Sequence, residues 1–155
     1  MREKLDNIKN IAQRCLKCKK PLCKEYCPLH NNIPVILNYI NNDQIVEAKK
    51  ELLKTTNMSF ICSKLCDHEK SCYGHCALRN TSDGSIAFYE VENYLSTLIS
   101  ESDYEKISNN KIKSKIAVIG AGVSGMNVAI ELAKLGLGVT LFDKNNQIGG
   151  VITDS

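Results

Sequence analysis

The chain has 155 residues, 43% apolar and 24% charged, a composition that fits one ordinary soluble domain or two small ones and excludes a fibrous or disordered chain. The net charge of +3, from 20 basic and 17 acidic residues, is too small a surplus to imply a nucleic-acid or membrane partner. The start MREKLDNIKN is charged from its second residue and no apolar run approaches a bilayer's thickness, so the expectation is a cytoplasmic protein with no secretory signal and no membrane insertion.

In chain order, Leu5, Ile8, Ile11 and Ala12 recur at helical spacing and predict a short leading helix. The segment CLKCKKPLCKEYCP, Cys15 to Pro28, has too many cysteines and prolines for regular structure and is expected to be a loop wrapped around a bound group. Pro34 suits a first helical position, and the run from Ile33 ends at Asn41-Asn42. A second helix is expected from Asp43 as N-cap, with Ile45, Ala48 and Leu52 on one face. A second cysteine segment, CSKLCDHEKSCYGHC, runs from Cys62 to Cys76, and Thr81 to Ser85 reads as a turn. From Ile86 to Ile99 a helical stripe carries Phe88, Glu92, Leu95 and Ile99, so that one acid sits inside an apolar face. The polar stretch Ser100 to Ser114 reads as a linker, with a domain boundary near residue 112.

All eight cysteines lie between Cys15 and Cys76. Cytosolic thiols are kept reduced, so metal binding is favoured over disulfides. The first group is C-x2-C-x4-C-x3-C-P and the second C-x3-C-x5-C-x3-C. Bacterial ferredoxins use C-x2-C-x2-C-x3-C-P, where three close thiolates hold one cubane and the fourth reaches to another. By that comparison Cys15, Cys18 and Cys23 hold one cluster with a fourth ligand from the second group, while Cys27 joins Cys66 and Cys72 on the other. Glu92 is the candidate non-cysteine ligand, with a salt bridge to a lysine as its alternative, because a buried carboxylate must be paired, protonated or metal-bound. Zinc fits less well, since only Cys15 and Cys18 have the two-residue knuckle spacing. His30, His68 and His75 show no metal-finger spacing and are expected at the surface or beside ligands. Arg14, Lys17, Lys19, Lys20 and Lys24 crowd the first group, either offsetting thiolate charge, forming a docking patch for an electron partner, or standing as a solvated loop. With only Tyr26 among them, nucleic acid is not an expected partner.

From Lys115 the chain reads KIAVIGAGVSGMNVAIELAKLGLGVTLFDK. A strand over Ile116 to Ile119, the pattern Gly120-Ala121-Gly122-Val123-Ser124-Gly125, a helix through Leu135, a strand from Val139 to Phe142 and then Asp143 follow one another as in a dinucleotide-binding unit. Gly120 permits the turn, Gly122 lets the backbone approach a pyrophosphate, Gly125 permits close helix packing, and Asp143 stands where an acid meets a ribose hydroxyl. The acid favours an unphosphorylated ribose, hence FAD or NAD over NADP. One strand, one helix, one strand and the tail NNQIGGVITDS are expected to be an incomplete nucleotide unit.

The first cysteine group ending in CP, the IPVIL helix start, Glu47-Ala48, Thr56-Asn57 before the second group and VIGAGVSG after it together resemble the small (beta) subunit of bacterial glutamate synthase and the amino-terminal part of dihydropyrimidine dehydrogenase, over nearly the whole chain. The resemblance implies a fold that is mainly α with an α/β start: an alpha-helical domain with two 4Fe-4S clusters over 1–111, then an incomplete Rossmann-like βαβ segment over 112–155. It implies Cys15, Cys18, Cys23 and Cys76 on one cluster and Cys27, Cys66, Cys72 and Glu92 on the other, with Cys62 spare or replacing Glu92. It implies FAD on Gly120, Ala121, Gly122, Ser124, Gly125 and Asp143, with Gly149-Gly150 as the family's glycine pair near the flavin. Relatives commonly have proline and alanine where Val123 and Ser124 stand, and a proline where Asp67 stands.

The function so implied is the electron-transfer part of an NAD(P)H-dependent iron-sulfur flavoprotein oxidoreductase, incomplete by itself and working with a redox partner subunit or with the absent FAD and NAD(P)H domains. A stand-alone electron carrier or adaptor and a zinc-bound interaction module are the alternatives. No nucleophile with a matching base is found, so no catalytic residue is assigned.

Overall fold

The computed structural model describes residues 2–103 and 112–153. Contacts divide the chain into two compact units, Met1–Asp103 and Tyr104–Ser155. In the first, six helices are described: α1 (Arg2–Gln13), α2 (Leu22–Glu25), α3 (Ile33–Asn41), α4 (Ile45–Leu53), α5 (Ser59–Leu65) and α6 (Phe88–Thr97), followed by a 3-10 turn at Glu101–Asp103. Their apolar stripes meet in one core: Ile8, Ile11 and Ala12 from α1; Ile33, Ile36, Leu37 and Ile40 from α3; Ala48 and Leu52 from α4; and Phe88, Val91 and Leu95 from α6. Cys72 belongs to this core, so the second cysteine segment is fastened to the helices by burial.

Three local readings differ from the sequence expectation. The first cysteine segment is not wholly irregular, because α2 forms after Pro21. Gln44, not Asp43, precedes α4 as its N-cap. Asp43 has a φ of +60° and its carboxylate pairs with Lys9 of α1, so a tertiary ion pair takes the side chain that would have capped the helix. The helix α5, which contains Cys62, was not expected. It buries Ser59 and Ser63 and exposes Phe60 and Leu65, the reverse of an ordinary amphipathic pattern.

Two polar ties fix the connections. The Arg14 guanidinium, just before Cys15, donates to the carbonyls of Asp83 and Gly84 and holds the start of the first cysteine segment against the turn before α6. Lys49 on α4 donates to the Leu98 carbonyl at 3.1 Å and pairs with Asp103 at 2.8 Å, joining α4 to the end of α6. That lysine draws the Asp103 carboxyl well below the usual range, to about 2, with the Ser100 amide and hydroxyl acting in the same direction.

The second unit is β1 (Ile112–Ile119), α7 (Val123–Lys134), β2 (Leu137–Phe142) and a 3-10 turn at Gly150–Ile152. The strands are parallel, with Ile116 opposite Val139 and Ile119 opposite Phe142. β1 begins four residues before the expected strand, with a register irregularity between Ile112 and Lys115. Along β2 burial alternates, so Leu137, Val139 and Leu141 are partly covered while Gly138, Thr140 and Phe142 stay exposed. The polar stretch expected as a linker lies largely outside the described residues.

Candidate functional site

Among the described residues, the cysteines line two cavities in the helical unit. The first, about 90 Å³, is lined by Cys15, Cys18, Cys23, Cys72 and Cys76, with Ile33, Leu37 and Phe88 as apolar walls. The second, about 200 Å³, is lined by Cys27, Cys62, Cys66, Cys72 and Glu92, with Asn31, His68 and Ser71. A single water needs only about 10–15 Å³ of such volume, so each cavity has room for a group of several atoms. Cys18 is exposed, Cys27 and Cys72 are buried, and the other five are partly buried. Among the described residues no group of three His, Cys, Asp or Glu side chains is gathered tightly enough to hold one metal ion. A cubane places its four ligands on separate corners, so its donors stand farther apart than those of a single zinc.

The electrostatic environment divides the same residues in the same way. Burial raises the Cys23 thiol to about 11, and the neighbouring Cys76 and Cys15 add to the effect. Burial also raises Cys15, where Cys18 and Cys76 add to the effect. In the second set, burial and then Cys27, Cys66 and Glu92 raise Cys72 to about 12. Burial and then Glu92 raise Cys62 to about 11. Thiols held this far up keep their protons at neutral pH until a metal centre displaces them. Cys72 lines both cavities, so the two sites adjoin.

Glu92 is 4% exposed and stands on α6 beside Val91. Burial raises its carboxyl to about 7, opposed by the hydrogen bond from Asn31. That bond, Asn31 Nδ2 to Glu92 Oε1 at 3.4 Å, is oriented from behind by Thr55, whose hydroxyl donates to Asn31 Oδ1. Among the described residues Glu92 takes part in no ion pair, and its carboxylate faces the second cavity. Among the described residues, no lysine takes the place of the alternative salt-bridge partner. Sequence reading missed Asn31 and Thr55, since nothing local marks residues whose partner is 61 positions away. His75 stacks on Tyr26 with centroids 3.5 Å apart, His30 sits in a left-handed turn, and His68 lines the second cavity.

In the second unit the glycine pattern forms the turn from β1 into α7. Gly120 has a φ of +103°, a conformation that disfavours any side chain. A Cβ on Gly125 would fall 1.8 Å from the Gly120 carbonyl oxygen, which makes the close approach of helix to turn glycine-dependent. A Cβ on Gly122 would meet nothing within 4 Å, so its face is open to an approaching group. The Asp143 carboxylate accepts from the Ala121 amide at 2.6 Å and the Asn145 amide at 2.8 Å, and these amides hold its pKa below the usual range. Gly149 donates to the Ala121 carbonyl at 2.8 Å and forms a bridge with Gly122, so the distant glycine pair is brought against the turn. A cavity of about 430 Å³ opens there, lined by Gly120, Asp143 and Gly150. Ser124 is exposed in the first turn of α7.

Comparison with known proteins gives the same division. The family model described as dihydropyrimidine dehydrogenase domain II, 4Fe-4S cluster, matches residues 2–104, and the NAD(P)-binding Rossmann-like domain matches residues 118–155. The chain is 32% identical over 144 residues to the NADPH glutamate synthase small chain of Escherichia coli K12, covering 92% of this chain and 30% of that protein. It is 33% identical over 146 residues to the same-named protein of Halomonas elongata, covering 92% and 30%. It is 26% identical over 140 residues to the NAD-dependent dihydropyrimidine dehydrogenase subunit PreT of Salmonella typhimurium, covering 90% and 34%. The chain thus spans about a third of the length of the relatives it matches, and the resemblance read from the motifs is borne out. No helix among the described residues is long and apolar enough to cross a membrane.

Proposed function

Because the chain belongs to the family described as dihydropyrimidine dehydrogenase domain II, 4Fe-4S cluster, we propose that it is the electron-transfer part of an NAD(P)H-dependent oxidoreductase containing FAD and two 4Fe-4S clusters. Cys15, Cys18, Cys23 and Cys76 would hold one cluster, and Cys27, Cys66, Cys72 and Glu92 the other. When bound, the clusters supply one-electron steps and the flavin supplies the exchange between hydride and single electrons.

The observation that carries this reading is the pair of adjoining cavities, each lined by several cysteines. The donor chemistry fits: thiolates are the ligands iron-sulfur clusters take, and one carboxylate is held at the second cavity by Asn31. Asn31 and Thr55 orient that carboxylate, while Ile33, Leu37 and Phe88 keep water from the first cavity. In the nucleotide unit, Gly122 leaves the turn open to a pyrophosphate, the start of α7 offers amides to it, and Asp143 steadies the turn through Ala121. The exposed apolar side chains Ile119, Phe142, Leu135 and Val151 give the second unit a surface suited to further nucleotide-domain structure or a partner chain.

The test is electron paramagnetic resonance of the dithionite-reduced full chain, purified without oxygen. The reading expects two signals, with C23S altering one and C66S the other. A single signal lost in both variants would overturn the two-site assignment.

A further inference from the structure

Five side chains able to ligate iron line the second cavity, Cys27, Cys62, Cys66, Cys72 and Glu92, and a cubane takes four. The cavity therefore lacks no ligand. Its lining is rich in acceptors, since thiolates and a carboxylate accept, and its side-chain donors are few: the Asn31 amide, which gives one N–H to Glu92, and the Ser71 hydroxyl beside Cys66. Against this acceptor-rich lining stands His68, whose Nε2 is buried with no hydrogen-bond partner. A buried polar atom without a partner has lost its water and gained nothing in exchange, so a bound group that accepts from it would remove that penalty.

The ring is held in position from two sides. His68 stacks on Tyr89 of α6 with centroids 4.6 Å apart and planes inclined at 29°. Its backbone carbonyl accepts from the amides of Ser71, Tyr73 and Gly74 at 3.1 to 3.2 Å, which pins the main chain of the turn between Cys66 and Cys72. The turn closes this tightly because residue 74 is glycine: a Cβ there would fall 1.7 Å from the Glu69 carbonyl oxygen.

Resting on the two-cluster reading above, we propose that His68 is a positioning residue for the second iron-sulfur site, donating its Nε2–H to a sulfur of the cluster or of a ligating thiolate. A donor at sulfur favours the more negatively charged, reduced form, so His68 raises the reduction potential of this site relative to the same site without it. The Ser71 hydroxyl, 3.8 Å from Cys66 Sγ, lines the same cavity and adds a second donor once that thiol is ionised. The first cavity has no histidine with a buried, unpartnered ring nitrogen among its described lining residues; the Nδ1 of its His75 is 2.8 Å from the Ser71 carbonyl.

The test is a redox titration of the full chain followed by electron paramagnetic resonance, on wild type, His68→Phe and His68→Gln. The signal altered by Glu92→Gln identifies the second site. Expected for His68→Phe is an unchanged iron and sulfide content with the second site's midpoint shifted to more negative potential and the first site's unmoved. His68→Gln, whose side-chain amide can donate from a similar position, returns the midpoint toward wild type. An unmoved midpoint in His68→Phe overturns the proposal, as does loss of iron from the second site in both variants, which would make His68 a ligand. Wild type lacking iron altogether would overturn the two-cluster reading itself, a result distinct from either of these.

Discussion

Glu92 joins burial to chemistry in one side chain: it is nearly inaccessible, faces the second cavity and is oriented by Asn31 and Thr55. The acid in an apolar stripe could be read from the sequence because the helical period puts Phe88, Glu92 and Leu95 on one face. Its partner could not be read, because Asn31 comes from the other side of the cysteine segment and no local pattern links them. The ligand assignment makes a direct prediction. Glu92→Ala lowers the iron content of the second site and gives the signal of a three-iron cluster in the oxidised protein, whereas Cys62→Ala keeps all of its iron. The reverse pattern, measured by iron analysis and electron paramagnetic resonance, would assign the fourth corner to Cys62. At Asp143 the structure adds a task to the expected one: the carboxylate that was to meet a ribose also ties the glycine turn through the Ala121 amide. Asp143→Ala is therefore expected to weaken ADP or FAD binding, measured by calorimetry, by more than the loss of one ribose hydrogen bond, about tenfold or greater.

Among the elements, α5 explains why part of the helical unit was not legible. Its buried positions are Ser59 and Ser63 and its exposed ones include Phe60 and Leu65, so a hydrophobic-face criterion finds no helix there. Small serines suit a helix that packs closely against a neighbour, and that neighbour is α6. The helices α1, α3 and α6 were legible because their apolar spacing and the Pro34 start follow the helical period over two turns or more. The tie from Lys49 to Asp103 carries a pH prediction. Asp103 is pulled from its ordinary value of about 3.9 to about 2, so the stabilisation is fully present above the ordinary value and is lost as pH falls toward the lower one. The gap in urea midpoint between wild type and Asp103→Asn should stay constant from pH 7 to pH 5 and narrow below pH 4. A gap that widens on acidification would contradict the ion pair's role. In the second unit, Gly125→Ala forces α7 away from the Gly120 carbonyl and should destabilise that unit by about 1–3 kcal/mol, read by hydrogen exchange of the β1 and β2 amides. Exchange at wild-type rates would mean that the turn relaxes freely.

At the scale of the whole molecule, the order of the two units was legible because each announces itself by residue type: cysteine for one, glycine between strand and helix for the other. The division of thiols between two cavities was suggested by spacing, but spacing could not reveal that Cys72 borders both or that His68 lines the second. Those facts follow from how α3 and α6 pack around the cysteine segments, which is a tertiary matter. That this packing serves two four-iron clusters is open to direct test by iron, acid-labile sulfide, zinc and flavin analysis of the full chain purified without oxygen, with its ultraviolet-visible spectrum. Two such clusters give about eight irons and eight sulfides per chain with broad absorbance at ~400 nm. Zinc without sulfide, or about four irons that no reconstitution raises, would contradict it.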